Sequence, residues 1–342
     1  MVFQSRFFMF EKIFYEKDTF SNPRTQYVLN KFKGIPHVEI SKIEDIFGRV
    51  KKPYLQKRTN LNLFIGEKKG QLVKETPNAY GLSGDPHYYF IHSYNCIYEC
   101  DYCYLQGYFH SPDLVFFINH EEIIEEMRQI IKKNGSHKTS WFHAGEYSDS
   151  LALSHITGEL PLYFDFFRGQ KSAKLELRTK SANIKELKSL RPSKNIIVSF
   201  SLSPKDQIKD HDLKTPPLET RLKAMETLDK LGHPIALHLD PIIFCDDFKS
   251  QYEEMLESLF KYISPERIEY ISLGVVRFTK DVYNQMKKNY PSSKIHQSEL
   301  IKSFDGKVRY MRPMRLWMLQ TIKNICLLYG VKEEKLYLCM EE

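Results

Sequence analysis

The chain has few cysteines, only two tryptophans and no long apolar run. Among its 342 residues there are six cysteines. No stretch is apolar over bilayer length, so no membrane is expected as a partner. The start, Met1 to Lys12, is aromatic, but it lacks the basic segment, apolar segment and cleavage site of a signal peptide. Internal repeats and low-complexity segments are also missing, which argues against a solenoid or a compositionally biased tail. No sign of charge dominates: a net charge of +7 permits a polyanion as partner without requiring one. Hydrophobic content of 42% and charged content of 27% are those of a soluble globular protein. The length suffices for one large domain or two.

The few cysteines are unevenly spread. Cys245, Cys326 and Cys339 are scattered, whereas Cys96, Cys100 and Cys103 share the run Cys-Ile-Tyr-Glu-Cys-Asp-Tyr-Cys-Tyr. A disulfide framework would spread its cysteines more evenly in a shorter chain. Clustered thiols without a secretion signal favour metal binding in a reducing cytoplasm. Three thiolates at these spacings hold three irons of a [4Fe–4S] cube and leave the fourth iron open to a small molecule. The competing reading is a zinc site with His92 or His110 as fourth ligand. Against it, no second Cys/His pair follows at zinc-ribbon spacing.

The first 85 residues are polar, aromatic and irregularly patterned, with a basic stretch at Val50–Asn60 (Lys51, Lys52, Lys57, Arg58) that reads as a solvated face. They are expected to form an N-terminal extension packed on a second unit, residues 86–342. From Tyr88 onward, short apolar runs alternate with amphipathic ones. Strands are expected at Tyr88–Ile91, Ser140–His143, Leu175–Thr179, Ile196–Ser201, Ile235–Leu239 and Ile268–Leu273. Helices are expected at Glu121–Lys133, Leu160–Phe167, Ile184–Leu190, Leu218–Leu231, Tyr252–Tyr262 and Lys280–Tyr290, with a last one at Arg315–Leu328. Six strand–helix units predict an α/β fold, a partial (β/α)6 TIM-type barrel with C-terminal helical and hairpin elements. A doubly wound open sheet is the structural alternative. In both, chemistry belongs at the carboxyl ends of the strands, and the cysteine loop follows the first strand.

The Cys-x3-Cys-x-Tyr-Cys pattern resembles that of the radical S-adenosylmethionine (SAM) superfamily. The resemblance implies that Cys96, Cys100 and Cys103 ligate a [4Fe–4S] cluster and that SAM chelates the open iron, yielding a 5′-deoxyadenosyl radical. The second strand ends Trp-Phe-His-Ala-Gly-Glu-Tyr-Ser-Asp, Trp141 to Asp149. Many superfamily members carry Gly-Gly-Glu there to receive the SAM ammonium, and Gly145-Glu146 matches two of the three. The carboxylate of Glu146 can accept a charge-assisted hydrogen bond from that ammonium.

More closely, the whole chain resembles the spore photoproduct lyase family. The resemblance is carried by Cys103-Tyr104-Leu105-Gln106, Ser148-Asp149, Thr179-Lys180, Phe200-Ser201-Leu202-Ser203 and Arg277-Phe278-Thr279-Lys280, in order and with similar gaps. It implies that Ser148, Lys180 and Ser201 contact SAM. It also implies repair of a thymine–thymine cross-link in damaged DNA, a carbon–carbon lyase reaction. Tyr102 and Tyr104 would relay a hydrogen, and a one-electron reductant such as flavodoxin or ferredoxin would serve as electron donor. One departure stands out: the family's hydrogen-donating cysteine falls at Glu146, and a carboxylic O–H bond is too strong to replace S–H. Either another residue such as Tyr147 or Cys245 donates, or the lesion differs, or the substrate is a nucleoside, an RNA or a peptide. The run Lys307 to Arg315 alternates basic, aromatic and apolar residues around a hairpin turn at Gly306. There the resemblance implies DNA contact by Arg309, Tyr310, Arg312 and Arg315. A third reading, from a different class, is a zinc-containing nucleic-acid-binding protein without catalysis.

Overall fold

The structure is a computed structural model that describes residues 10–48, 61–77, 84–109 and 111–341. The basic stretch Val50–Asn60, Gly81 and His110 lie outside the described residues.

The chain opens with three strands, β1 (Phe10–Glu16), β2 (His37–Ile40) and β3 (Leu61–Gly66). They follow as β4 (Val73–Glu75), β5 (His87–Phe90), β6 (Ser93–Tyr94), β7 (Glu99–Cys100) and β8 (Leu114–Phe117). One sheet has the order β2-β1-β3-β8-β6, with only β6 antiparallel. The N-terminal region therefore holds a parallel sheet where the sequence pattern looked irregular. It shares that sheet with β8 and β6, which lie beyond residue 85 in the chain. The strand order reverses between β1 and β3, the place where a doubly wound fold opens a crevice at its carboxyl edge. Here Glu16 fills it. Its two carboxylate oxygens accept from the backbone N–H groups of Ile43 and Glu67, at 3.0 and 3.1 Å.

The larger sheet adds β9 (Ser140–Ala144), β10 (Ala173–Thr179), β11 (Ile196–Ser201), then, after the short β12 (Asp212–Leu213), β13 (Ile235–Ile242) and β14 (Ile268–Val275). Last come β15 (Arg277–Phe278), β16 (Ile301–Lys302), β17 (Val308–Arg309) and β18 (Leu336–Leu338). Its order is β18-β14-β13-β11-β10-β9-β5-β4, a curled half-barrel of eight strands. Six are the expected ones. The edges β18, parallel to β14, and β4, antiparallel to β5, extend it beyond the expectation.

Alternation along β10 explains the two faces. Ala173, Leu175 and Leu177 point outward, 2% exposed or less, into a core shared with the surrounding helices. Full burial of each leucine stabilises by about 1.5–3 kcal/mol. Lys174, Glu176, Arg178 and Lys180 have the opposite parity and face the barrel interior. Trp141, Ile197, Ala236 and Tyr270 form a separate apolar layer there, and polar residues stand above it.

The helices include Pro23–Lys31 in the N-terminal region and, beyond it, His120–Asn134, Leu160–Arg168, Leu218–Leu231, Phe248–Phe260, Lys280–Asn289 and Arg312–Leu328. The helix expected at Ile184–Leu190 is instead a single 3-10 turn at Leu187–Ser189. Local side chains capture the backbone before it: Ser181 Oγ accepts from the Asn183 N–H at 3.0 Å, and the Asn183 amide donates to Leu151 O at 2.8 Å.

Candidate active site

The cysteine loop leaves β5 at the carboxyl edge of the barrel. Asn95 begins it in a left-handed conformation (φ 64°), its amide donating to Ser111 O and Asp113 O, both at 2.7 Å. The β7 strand pairs with β12, setting Cys100 opposite Asp212. Asp101 fixes the next turn: its backbone N–H donates to His211 O at 3.0 Å, and its carboxylate meets His211 Nδ1 at 2.9 Å and the Ser293 hydroxyl at 2.6 Å. The loop is thus held from the C-terminal half of the barrel.

A second group comes from the ends of β9, β10 and β11. Gly145 turns the chain at φ +93°, and a Cβ there would lie 2.7 Å from Ser150 Oγ and 3.0 Å from Arg178 O, so only glycine fits. Asp149 ties this turn to the end of β10. It accepts from the Thr179 hydroxyl and the Lys180 N–H, both at 2.7 Å. Lys180 Nζ reaches toward Asp212 Oδ1 at 3.9 Å and lies 5.5 Å from the centre of the Tyr102 ring. Tyr102 donates its hydroxyl proton to the same carboxylate, whose other oxygen takes both terminal nitrogens of the fully buried Arg221, at 3.1 and 3.0 Å. Burial pushes the Asp212 carboxyl up, but Lys180 and Arg221 outweigh it and hold the group below its ordinary value.

The cysteine loop and the ends of β9, β10 and β11 meet at one pocket of about 420 Å³. Cys96, Cys100 and Cys103 form part of its wall with Tyr102 and Tyr104; Gly145, Glu146, Ser148, Lys180 and Ser201 form another part. As free thiols the cysteines are held protonated. Burial raises Cys96 and Cys100 far up and Cys103 to about 11. Three thiolates here require a compensating cation, which an iron cluster supplies on binding. Among the described residues, no three His, Cys, Asp or Glu converge as one metal ion needs. Cys96, Cys100 and Cys103 all line this one pocket, and three thiols are the donor number that leaves one iron of a cube open. The donor set therefore fits the cluster, and Glu146 lines the same pocket.

Other expected residues are placed elsewhere. Tyr147 is 8% exposed and sits in an aromatic cluster with Tyr89, Tyr94, Tyr108 and Phe109, off the pocket wall. Cys245 is half-buried against the main core and does not line the pocket. Of the expected DNA contacts, Arg309, Tyr310 and Arg315 are buried and have internal partners. Arg309 donates to Ser303 Oγ at 3.0 Å and pairs with Asp305 at 3.1 Å. Arg315 Nε meets both Glu341 oxygens at 3.0 Å, and the Tyr310 hydroxyl accepts from the Phe244 N–H at 3.2 Å. Arg312, at the start of the last long helix, is exposed.

Sequence reasoning missed Tyr98 and Arg178, both on the pocket, and the Asp212–Arg221 pair behind it. It also missed Phe304, 95% exposed at the tip of the β16–β17 hairpin, whose turn closes with Gly306 N–H on Ser303 O at 2.9 Å. The inward parity of Arg178 between Glu176 and Lys180 was a usable signal, whereas nothing in the sequence marks Arg221.

A partial barrel with a three-cysteine loop after its first core strand and a SAM-type pocket at its carboxyl edge defines a radical SAM protein, whose cofactors are a [4Fe–4S] cluster and SAM. Residues 8–312 match the family model for spore photoproduct lyase, and the chain belongs to that family. A spore photoproduct lyase of Clostridium acetobutylicum is 22% identical over 301 residues, covering 86% of this chain and 87% of that protein. One from Bacillus subtilis is 27% identical over 207 residues, and in that match the chain spans 60% of the relative's length. Among solved structures, a spore photoproduct lyase complexed with dinucleoside spore photoproduct superposes with a TM-score of 0.83 at 18% identity, covering 97% of this chain and 99% of the other. A variant lyase with bound AdoMet and the same dinucleoside gives 0.78 at 18% identity, covering 98% and 100%.

Proposed function

We propose that this protein is a radical SAM lyase acting on thymine lesions in damaged DNA. The observation that carries the reading is convergence: the three loop cysteines and the residues matched to SAM contacts come from separate strand ends, yet line one pocket. When bound, the cofactors supply a carbon-centred radical able to take hydrogen from unactivated carbon. The chain's own residues bind and aim. Cys96, Cys100 and Cys103 hold the metal, while Glu146, Ser148, Lys180 and Ser201 orient SAM. Tyr102, anchored on Asp212, packs beside Lys180 at the cluster wall. Tyr104, 37% exposed, stands at the pocket mouth, placed to relay hydrogen. The β16–β17 hairpin offers Phe304 as a wedge for a base step, with Lys302 and Lys307 beside it for phosphates. A one-electron reductant such as flavodoxin or ferredoxin serves the cluster, in a reducing cytoplasm that keeps all six cysteines free.

Anaerobic incubation of the reconstituted protein with SAM, dithionite and irradiated DNA tests the reading. Deoxyadenosine should form while the thymine cross-link disappears. Deoxyadenosine without loss of lesion overturns the repair claim.

A second reading keeps the cofactors and replaces DNA by a nucleoside, RNA or peptide. It is favoured by Glu146 in place of a thiol and by the internal pairing of Arg309 and Arg315. Deuterated candidate substrates separate the two, because label enters deoxyadenosine only from the true one.

A further inference from the structure

Cleaving a cross-link by hydrogen abstraction leaves a carbon radical on the freed base, and one hydrogen atom must be added to complete the product. A thiol or a phenol can give that atom; a carboxylic acid, with its stronger O–H bond, cannot. Among the described residues, the thiols that line the pocket are Cys96, Cys100 and Cys103, which hold the cluster, and Cys245, Cys326 and Cys339 lie off its wall. Phenols do line it.

One of them stands beside position 146. Tyr89 on β5 pairs with His143 on β9, so it meets the pocket at the same sheet edge as Glu146, three residues past His143. Tyr89 shares the parity of His87, whose ring stacks on His143 at 5.2 Å, and so faces the barrel interior. Behind it lies Tyr147, ring centres 5.8 Å apart and nearly perpendicular. Tyr108 follows, 5.6 Å from Tyr147. Its own ring is 59% exposed. The three phenols thus run from the pocket wall, through the aromatic cluster, to solvent.

Packing alone does not call for hydroxyls here. Phenylalanine would fill the place of Tyr147, which is 8% exposed, without the cost of burying a polar group. Burial, then the hydrogen bond with Tyr89, push the Tyr147 hydroxyl up, so it keeps its proton. Lys74 Nζ, 5.9 Å from the centre of the same ring, opposes a bare positive charge on it. A phenol in these surroundings gives up proton and electron together, as a hydrogen atom.

We propose that Tyr89 donates the hydrogen atom that completes the product, and that Tyr147 and Tyr108 pass one back to it from the surface. The inference rests on the lesion-lyase reading above and names the donor that Glu146 cannot be. The step balances as follows. The Tyr89 O–H bond breaks and a C–H bond forms on the base, leaving a phenoxyl radical. Tyr89 then takes hydrogen from Tyr147, and Tyr147 takes it from Tyr108, one O–H bond breaking as another forms. The phenoxyl left on Tyr108 receives one electron from the one-electron reductant that serves the cluster and one proton from water.

The test uses cluster-loaded protein with SAM, dithionite and a lesion dinucleotide under anaerobic conditions. Repaired product, deoxyadenosine and the electron paramagnetic resonance spectrum are followed together, and the cluster's visible absorbance checks that each variant folds. Tyr89→Phe should lose repaired product while deoxyadenosine still forms. Tyr89→Cys, which restores a weak bond to hydrogen at the same place, should recover product. Tyr147→Phe should complete a first turnover and then stall, with a tyrosyl radical trapped on Tyr89 whose spectrum narrows when the tyrosines are ring-deuterated. A merely structural role would move neither the ratio of product to deoxyadenosine nor the radical signal. A wild-type ratio in Tyr89→Phe, or repeated turnover without a trapped radical in Tyr147→Phe, overturns the inference. Wild-type protein that forms deoxyadenosine and never repairs the lesion overturns the underlying reading instead, so the two failures are distinct.

Discussion

At position 146 a carboxylate stands where the resemblance places a hydrogen-donating cysteine, and its surroundings say what it does there. Glu146 lines the pocket beside Gly145 and Ser148, the residues proposed above to face SAM. An anion in that place favours an ammonium. Glu146→Gln should weaken SAM binding about tenfold or more, the loss of one charge-assisted hydrogen bond, measured by equilibrium binding to the loaded protein. Unchanged affinity would return Glu146 to a solvated role. The two residues offered as replacement donors and the two offered as relays are placed differently in the structure. Tyr147 is enclosed by aromatic rings and Cys245 lies off the wall, whereas Tyr102 and Tyr104 are both on it. Sequence alone could name these tyrosines through their place beside Cys103. It could not tell which nearby side chains face inward, since a loop carries no periodicity.

Among the elements, the hairpin changes most between sequence and structure. Its turn at Gly306 was legible from the glycine, but Arg309, Tyr310 and Arg315 after it are buried, whereas Arg312 is exposed. Register explains this. Arg309 pairs across from Arg277 on one side and Ile301 on the other, so it is the middle of three strands and is 5% exposed. The tip, one step earlier in the chain, carries Phe304 into solvent. For a DNA-acting protein, Phe304→Ala should weaken binding of a lesion-bearing duplex while leaving a lesion dinucleotide unaffected, because only the duplex has a base step to wedge. Fluorescence anisotropy with both ligands checks it, and equal losses on the two would remove the wedge role. The core strands and helices were more legible, because alternating β10 and the amphipathic His120–Asn134 helix carry their periods openly.

For the molecule as a whole, Glu159 links stability to pH. It is 3% exposed at the start of the Leu160–Arg168 helix, with His92 Nδ1 3.7 Å away. Burial raises its carboxyl to about 7 and lowers His92 to about 4, so near neutrality the two are not a full ion pair. A carboxyl whose folded value exceeds its unfolded one stabilises while protonated. That contribution is present below pH 4.5, the ordinary value, and is lost as pH rises through about 7. The loss is on the order of 3 kcal/mol. Glu159→Gln should flatten the fall of thermal midpoint across this window, as followed by circular dichroism. A wild-type midpoint already flat there would show that Glu159 is not the source.

The sequence by itself determined the place of the three-cysteine loop after the first core strand, the six core strands, most helices and the family, because covalent spacing and hydrophobic period are local properties of a chain. Only the tertiary structure decided that an N-terminal sheet is plugged by Glu16, that Asp212 and Arg221 brace Tyr102, and that Glu176 stands under Arg178. Each of these joins groups far apart in sequence around a buried charge. A buried charge is tolerated only when specific partners from several strands meet it, and that meeting is a consequence of folding that no single segment encodes.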